Sequence, residues 1–358
     1  MNDSFRRGLR TKSPLVLVAA LALLLPALLG VQYFFTSGAW SSVPVQRWMR
    51  NSTDDYMYVS WTVGALKRHP PELPLVTLLG GSSGREAIVS GRSLARQVRA
   101  DGGPDIVAYD LSSRMQRYAQ SWAIVDNLPD TPTTVLVGVN LGRFTTSPES
   151  NYNQVIGREL LLRSDSLRRW VTARSGEHKY SYTILPGIFS ALTSYAQQRE
   201  GDLLDHGRLH PRPYKMHAFD GRKALPDAEK KQLVTKWLTR YYPPFRRVLA
   251  FNLAMLDQLI ELGTQRGLDM VIVELPYNHE IIGSSFEAAT TAYQVPTQKI
   301  ADEYGVPYLD FNARVDIPSA DFLDLSHLRP AGRVVWEREL AAELARMYND
   351  GTLRETLP

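Results

Sequence analysis

The 358-residue chain holds no cysteine, which excludes disulfides, thiolate nucleophiles and zinc–thiolate sites. Its formal charge of +4 is concentrated in the first 13 residues, where Arg6, Arg7, Arg10 and Lys12 stand against Asp3. Beyond them 37 basic residues face 36 acidic ones, so the remainder is nearly neutral and carries no nucleic-acid signature.

Residues 14–35 are uncharged and mostly apolar, a stretch of 22 residues that can cross a hydrocarbon core as a helix. Pro26 inside it is compatible with a membrane helix. Basic residues before the span predict a cytoplasmic N-terminus and an exported remainder. A cleaved signal peptide is the rival, but its apolar core normally runs to only about 7–15 residues. The expectation is a single-pass anchor in the inner (cytoplasmic) membrane, holding a periplasmic or otherwise extracytoplasmic domain in contact with the lipid bilayer through residues 14–35.

Residues 36–73, rich in Ser, Trp and Tyr, read as a connector with some helix. A regular alternation follows. Residues 75–79 predict a buried strand, 85–100 a helix with Ile88, Leu94 and Val98 inward, and 105–111 a second strand. Residues 114–125 predict a helix and 133–139 a β-branched third strand. This strand–helix order predicts an α/β fold with a parallel sheet between helices. Right-handed crossovers then bring the loops after the strands to one edge, where active groups of such sheets sit.

The pattern breaks over residues 141–244, which are rich in Arg, Tyr, Pro and His and read as a large helical insertion, with helices near 154–163 and 228–238. Tyr241-Tyr242-Pro243-Pro244 within it reads as a rigid loop. Residues 245–262 predict a helix with Phe245, Leu249, Leu253, Leu256 and Ile260 on one face. A fourth strand is expected at 270–275 and a short fifth at 307–311. A final helix at 330–348 should turn Trp336, Leu340, Leu344 and Met347 inward.

Two segments carry the chemistry. Gly80-Gly81-Ser82-Ser83-Gly84 follows the first strand and opens a helix-like stretch, with glycines that ease a sharp turn. Asp324-Leu325-Ser326-His327 precedes the last helix. A serine needs a base to become a nucleophile, and a histidine oriented by a carboxylate is such a base. Ser82 fits the strand-to-serine register without a gap, and Ser83 is the alternative nucleophile. Asp205, His206, His210, His217 and Asp220 are grouped, but their spacing matches no compact metal motif.

These blocks resemble the SGNH, or GDSL-like, hydrolases. The family's first block is an apolar strand ending in Gly-Asp-Ser; here Gly81 stands in the Asp position before Ser82. Its Gly-x-Asn block is similar to Gly138-Val139-Asn140, and its last block to Asp324-Leu325-Ser326-His327. Its second block supplies a glycine N–H, and Ser112 occupies that position. The resemblance covers residues 75–140 and 245–348. It implies a three-layer α/β/α domain, Ser82 as nucleophile, His327 as base, Asp324 as its orienting acid, and an oxyanion site from Asn140, Ser82 and Ser112. The G-x-S-x-G elbow of α/β-hydrolases also fits residues 80–84. That fold places several strands before the elbow, and the acid three residues before the histidine is closer to the SGNH pattern.

The anchor, exported domain and insertion resemble membrane-anchored SGNH proteins that modify envelope polymers, as in teichoic-acid D-alanylation and alginate acetylation. By that resemblance the chain is an O-acyltransferase, for acetyl or a similar acyl group. A membrane-bound O-acyltransferase supplies the acyl group, and an envelope polysaccharide accepts it from an acyl-serine. No cofactor is implied. The alternatives are an extracytoplasmic carbohydrate esterase or deacetylase, and a non-catalytic SGNH-like partner of the membrane acyltransferase.

Overall fold

The computed structural model describes residues 14–152, 160–175, 192, 193, 196 and 213–356. The basic tail, and with it residues 1–13, lies outside them. Helix α1 (Pro14–Thr36) carries the apolar stretch, with a mean hydropathy of 2.1 over Val18–Phe35. Its leucines and valines are largely exposed, Leu15 and Leu23 by three-quarters. By length and composition it is long and apolar enough to cross a membrane, a property that an anchor and a signal sequence share.

Helix α2 (Asp55–Arg68) lies in the segment expected as a connector. Asp54 caps it by accepting the Met57 N–H, and Val59 and Val63 are fully buried against the sheet's helices. This part of the segment therefore belongs to the domain core. Strand β1 (Leu75–Leu79) leads into the four-residue turn α3 (Ser82–Arg85), and α4 starts only at Gly91 (Gly91–Ala100). The expected helix from 85 is interrupted because Ser90 caps α4 through the Ser93 N–H. Strand β2 (Val107–Asp110) precedes α5 (Tyr118–Val125), which begins later than expected. Met115 sits at a φ of 57°, and the Gln120 side-chain amide oxygen accepts the Arg117 N–H, so the chain turns before it can wind.

Strand β3 (Thr133–Val139) occupies the residues expected of it, and all seven are buried. After it come α6 (Pro148–Tyr152), α7 (Asp165–Ser175) and α8 (Asp227–Lys236). The helix expected at 154–163 falls mostly outside the described residues, and its described end, 160–163, is not helical. A π turn, Trp237–Tyr241, joins α8 to α9 (Tyr242–Gln265). The double proline expected to rigidify a loop instead lies in the first turn of α9, where its missing N–H has no helical partner to lose. Strand β4 (Asp269–Glu274), the short α10 (His279–Ile282), α11 (Glu287–Tyr304), β5 (Tyr308–Leu309) and α12 (Pro330–Asn349) complete the chain. Helix α11 was not foreseen: Pro296 lies inside it and no clean apolar stripe marks it.

The five strands form one parallel sheet in the order β2-β1-β3-β4-β5. Alternate residues feed opposite faces. Val135, Val137 and Ile272 pack with α5, α9 and α11, whereas Leu136, Val271 and Val273 pack with α4 and α12. Burial on both faces explains the unbroken apolar strands. The chain runs from β1 outward to β2 and then returns to β3 on the other side of β1. The strand order reverses there, leaving a crevice beyond the carboxyl ends of β1 and β3.

Candidate active site

Ser82 begins at the end of β1 and Asn140 follows β3, so both flank that crevice. Ser82 Oγ lies 2.8 Å from His327 Nε2. His327 Nδ1 is 2.7 Å from Asp324 Oδ2 and 2.9 Å from Oδ1. The carboxylate also accepts the backbone N–H groups of Ser326 and His327, at 3.0 and 3.1 Å. Burial pushes the Asp324 carboxyl up, but the His327 hydrogen bond and charge and the two N–H groups outweigh it and hold it below its ordinary value. An ionised Asp324 fixes Nδ1 as the protonated nitrogen and leaves Nε2 free to take the Ser82 proton.

The loop carrying Asp324 and His327 is pinned on both sides. Phe322 and Leu328 form an antiparallel bridge, Leu323 donates to the His327 carbonyl at 2.8 Å, and Asn278 donates to that of Leu325 at 2.9 Å. Phe219 meets the His327 ring edge-on at 4.8 Å and 86°. The guanidinium groups of Arg85 and Arg222 lie over the Phe219 ring, at 5.2 and 4.7 Å from the centroid. The insertion thus supports the candidate base, a contact that no local sequence signal announces.

Beneath the serine turn lies a buried ionic network. Arg85 contacts Asp55 at 2.5 Å and Glu86 at 3.3 Å. Glu86 also pairs with Arg333 at 2.5 Å, and Arg333 with Asp220 at 2.8 Å. Asp55 further accepts the Arg114 N–H and the Tyr214 hydroxyl. Of the grouped His and Asp residues, His217 faces Glu86 at 3.3 Å and Asp220 belongs to this network, while Asp205, His206 and His210 lie outside the described residues.

Ser83 is 5% exposed and donates its hydroxyl to Ser326 Oγ at 3.2 Å, so its partner is a serine rather than the histidine. Asn140 lines the cavity above Ser82, and its side-chain oxygen accepts the Arg143 N–H at 3.2 Å. With that oxygen engaged, the NH2 group is the side chain's donor. The Ser82 N–H lies in the first turn of α3, where no intrahelical acceptor exists. Ser112 is placed differently from these two. It is buried behind Gly84, its N–H donates to Asp110 Oδ1 at 2.8 Å, and it is absent from the cavity wall. Asp110 makes an Asx turn with that N–H, a local competitor that the sequence block does not reveal. Burial nevertheless raises the Asp110 carboxyl to about 7.

The glycines also divide unexpectedly. Gly81 has a φ of −75°, and a Cβ there would meet nothing within 4 Å. At Gly84 a Cβ would lie 2.7 Å from Ser112 Oγ. Close packing of α3 on the loop after β2 therefore constrains Gly84, whereas Gly81 borders open space.

The cavity has a volume of about 760 Å³ and includes Ser82, Asn140 and His327 in its lining. Glu274, at the end of β4, is a lining residue that sequence reasoning passed over. It is fully buried, accepts the hydroxyls of Tyr293 and of Tyr308, the latter at 2.7 Å, and burial lifts its carboxyl to about 8 despite those bonds. Among the described residues no cluster of three or more His, Asp or Glu side chains suits a metal ion. No protein-family model matches the chain, and no curated protein matches it.

Proposed function

We propose that this chain is an extracytoplasmic O-acyltransferase of the SGNH type, with a three-layer α/β/α domain, that carries an acyl group on Ser82 and passes it to a hydroxyl of an envelope polysaccharide. The observation that carries the reading is the hydrogen-bonded chain from Ser82 through His327 to Asp324 at the reversal of strand order. Ser82 Oγ attacks the acyl carbonyl of an ester or thioester donor while His327 Nε2 takes its proton. Asn140 and the Ser82 N–H stabilise the oxyanion. The bond to the donor breaks, and the leaving group departs with the proton from His327. A sugar hydroxyl then repeats the sequence in reverse, losing its proton to His327 and releasing Ser82. A membrane-bound O-acyltransferase is the proposed donor, and the apolar helix α1 the means of keeping the domain near it.

Incubation with an activated acyl ester, followed by mass spectrometry, tests the intermediate: Ser82 gains the acyl mass. Acylation of an added oligosaccharide identifies transfer, and free acid alone identifies an esterase. One observation favours a weaker or non-catalytic variant of the site, because the Ser112 N–H is already donated to Asp110. Absence of any acylated serine with every donor supports that second reading.

A further inference from the structure

The cavity over Ser82 has two chemically different walls. Gln116, Arg117, Thr145, Ser147 and Ser150 give one side polar groups. Leu233, Trp237, Ile282, Phe286 and Leu325 give the other an apolar surface, with Lys236 of α8 and Tyr241 also in the lining. Ile282 and Phe286 are buried and belong to one cluster with Val234, against which Leu141, Trp237 and Leu325 pack. Leu325 lies between Asp324 and His327, so the apolar surface runs up to the reacting groups.

This wall is built rather than incidental. Lys230 of α8 is 1% exposed and donates to the Ser319 carbonyl and hydroxyl at 2.6 and 2.9 Å. Ser319 in turn donates its hydroxyl to Asp227 at 2.7 Å, accepts Asn278 at 3.1 Å, and gives its N–H to Glu280 at 2.7 Å. One buried polar knot therefore fixes α8, which bears Leu233, against α10, which bears Ile282. Burying a lysine to fix an apolar face is costly unless its partners are complete, and here carbonyl, hydroxyl and the nearby Asp227 complete them.

Resting on the acyl-Ser82 reading, we propose that this wall is an acyl-chain pocket, and that the group carried is a linear aliphatic acyl chain of butyryl length or longer. An acetyl group has three heavy atoms. At roughly 30 Å³ each, the share of one liquid water, they fill well under a fifth of the cavity. A sugar ring against Leu233, Ile282 and Phe286 leaves its hydroxyls unpaired, whereas the opposite wall supplies their partners. The chain then lies along α8, α10 and the start of α11, and the acceptor hydroxyl approaches from the polar side.

The test uses the full chain in lipid nanodiscs, with empty nanodiscs as the partition control. Turnover of p-nitrophenyl acetate, butyrate, hexanoate and octanoate is measured beside calorimetric binding of the corresponding carboxylic acids to Ser82→Ala. Each methylene should raise kcat/KM and affinity by about fourfold until the wall is covered. Leu233→Trp in α8 and Phe286→Trp, just before α11, should each lower the hexanoate-to-acetate ratio at least tenfold. A flat or falling chain-length series in both measurements overturns the pocket, whether or not acetate is turned over. Graded binding without turnover of any ester leaves the pocket standing and removes the acyl-Ser82 chemistry instead. If a tryptophan variant fails to fold, as its melting curve reports, the unsubstituted series still decides.

Discussion

Ser83 Oγ donates to Ser326 Oγ at 3.2 Å, while the adjacent Ser82 Oγ lies 2.8 Å from His327 Nε2. Two neighbouring serines at the end of one strand thus touch the same distant loop through different partners. Only Ser82 is positioned to lose its proton to a base, and Ser83 helps join the two segments. Ser82→Ala should lower turnover of an activated ester by roughly 10⁴-fold or more, as loss of a nucleophile in a coupled triad does. Ser83→Ala should cost less than about tenfold, equivalent to losing one neutral hydrogen bond. Acylation of Ser83 rather than Ser82 in the mass spectrum reverses the assignment.

Asp324 acts on His327 through orientation and charge. Asp324→Asn keeps the size of the side chain but places an NH2 group where a carboxylate oxygen now accepts Nδ1–H. Turnover should fall by roughly 10⁴-fold with little change in KM. Because the folded carboxyl lies below its unfolded value, its stabilising contribution is complete above the ordinary aspartate range and is lost as pH falls through the lowered folded value. An asparagine variant should therefore show less loss of melting temperature on acidification than the parent chain.

Glu274 and Asp110 have the opposite sign. Their folded carboxyls hold protons up to about 8 and about 7, against ordinary values of 4.5 and 3.8. Between those limits the folded state binds more protons than the unfolded one, so stability falls as pH rises. Glu274→Gln keeps a neutral side chain that can still accept a tyrosine hydroxyl. It should flatten the decline in melting temperature between pH 4.5 and 8. An unchanged slope removes Glu274 as the source.

The Arg85–Asp55 pair joins the serine turn to α2, with both side chains 2% exposed. Asp55→Ala leaves a buried guanidinium with only Glu86, which Arg333 already shares. Breaking one side of such a pair costs about 3–5 kcal/mol. Urea unfolding should register that loss, and Arg85→Met with Asp55→Leu should recover only part of it, because the Arg114 N–H and the Tyr214 hydroxyl still lose their acceptor.

Gly81 and Gly84 separate space from strain. Gly81→Ala should change stability by less than about 1 kcal/mol, since the added methyl meets nothing. Gly84→Ala forces Ser112 Oγ away from a 2.7 Å contact and should cost about 1–3 kcal/mol. Equal melting temperatures for the two variants would contradict this packing.

Much of the fold was legible in the chain because parallel strands buried on both faces leave unbroken apolar runs. Thr133–Val139 and the core positions of α12 are the clearest cases. Boundaries were lost where side chains compete with the backbone: Ser90 restarts α4, and the Gln120 side chain takes the Arg117 N–H at the start of α5. Helix α11 escaped because an internal proline and a mixed pattern conceal its period.

The sequence by itself determined the strand–helix alternation, the apolar N-terminal helix and the residue types at Ser82, Asn140, Asp324 and His327, since periodicity and side-chain chemistry are local properties. Tertiary structure decided which serine meets the histidine, that the Ser112 N–H is spent on Asp110, and that Phe219 braces His327. It also decided that Glu274 lines the cavity. Each of these depends on where side chains distant along the chain converge, and convergence at the β1/β3 crevice follows from strand order, which no single segment encodes.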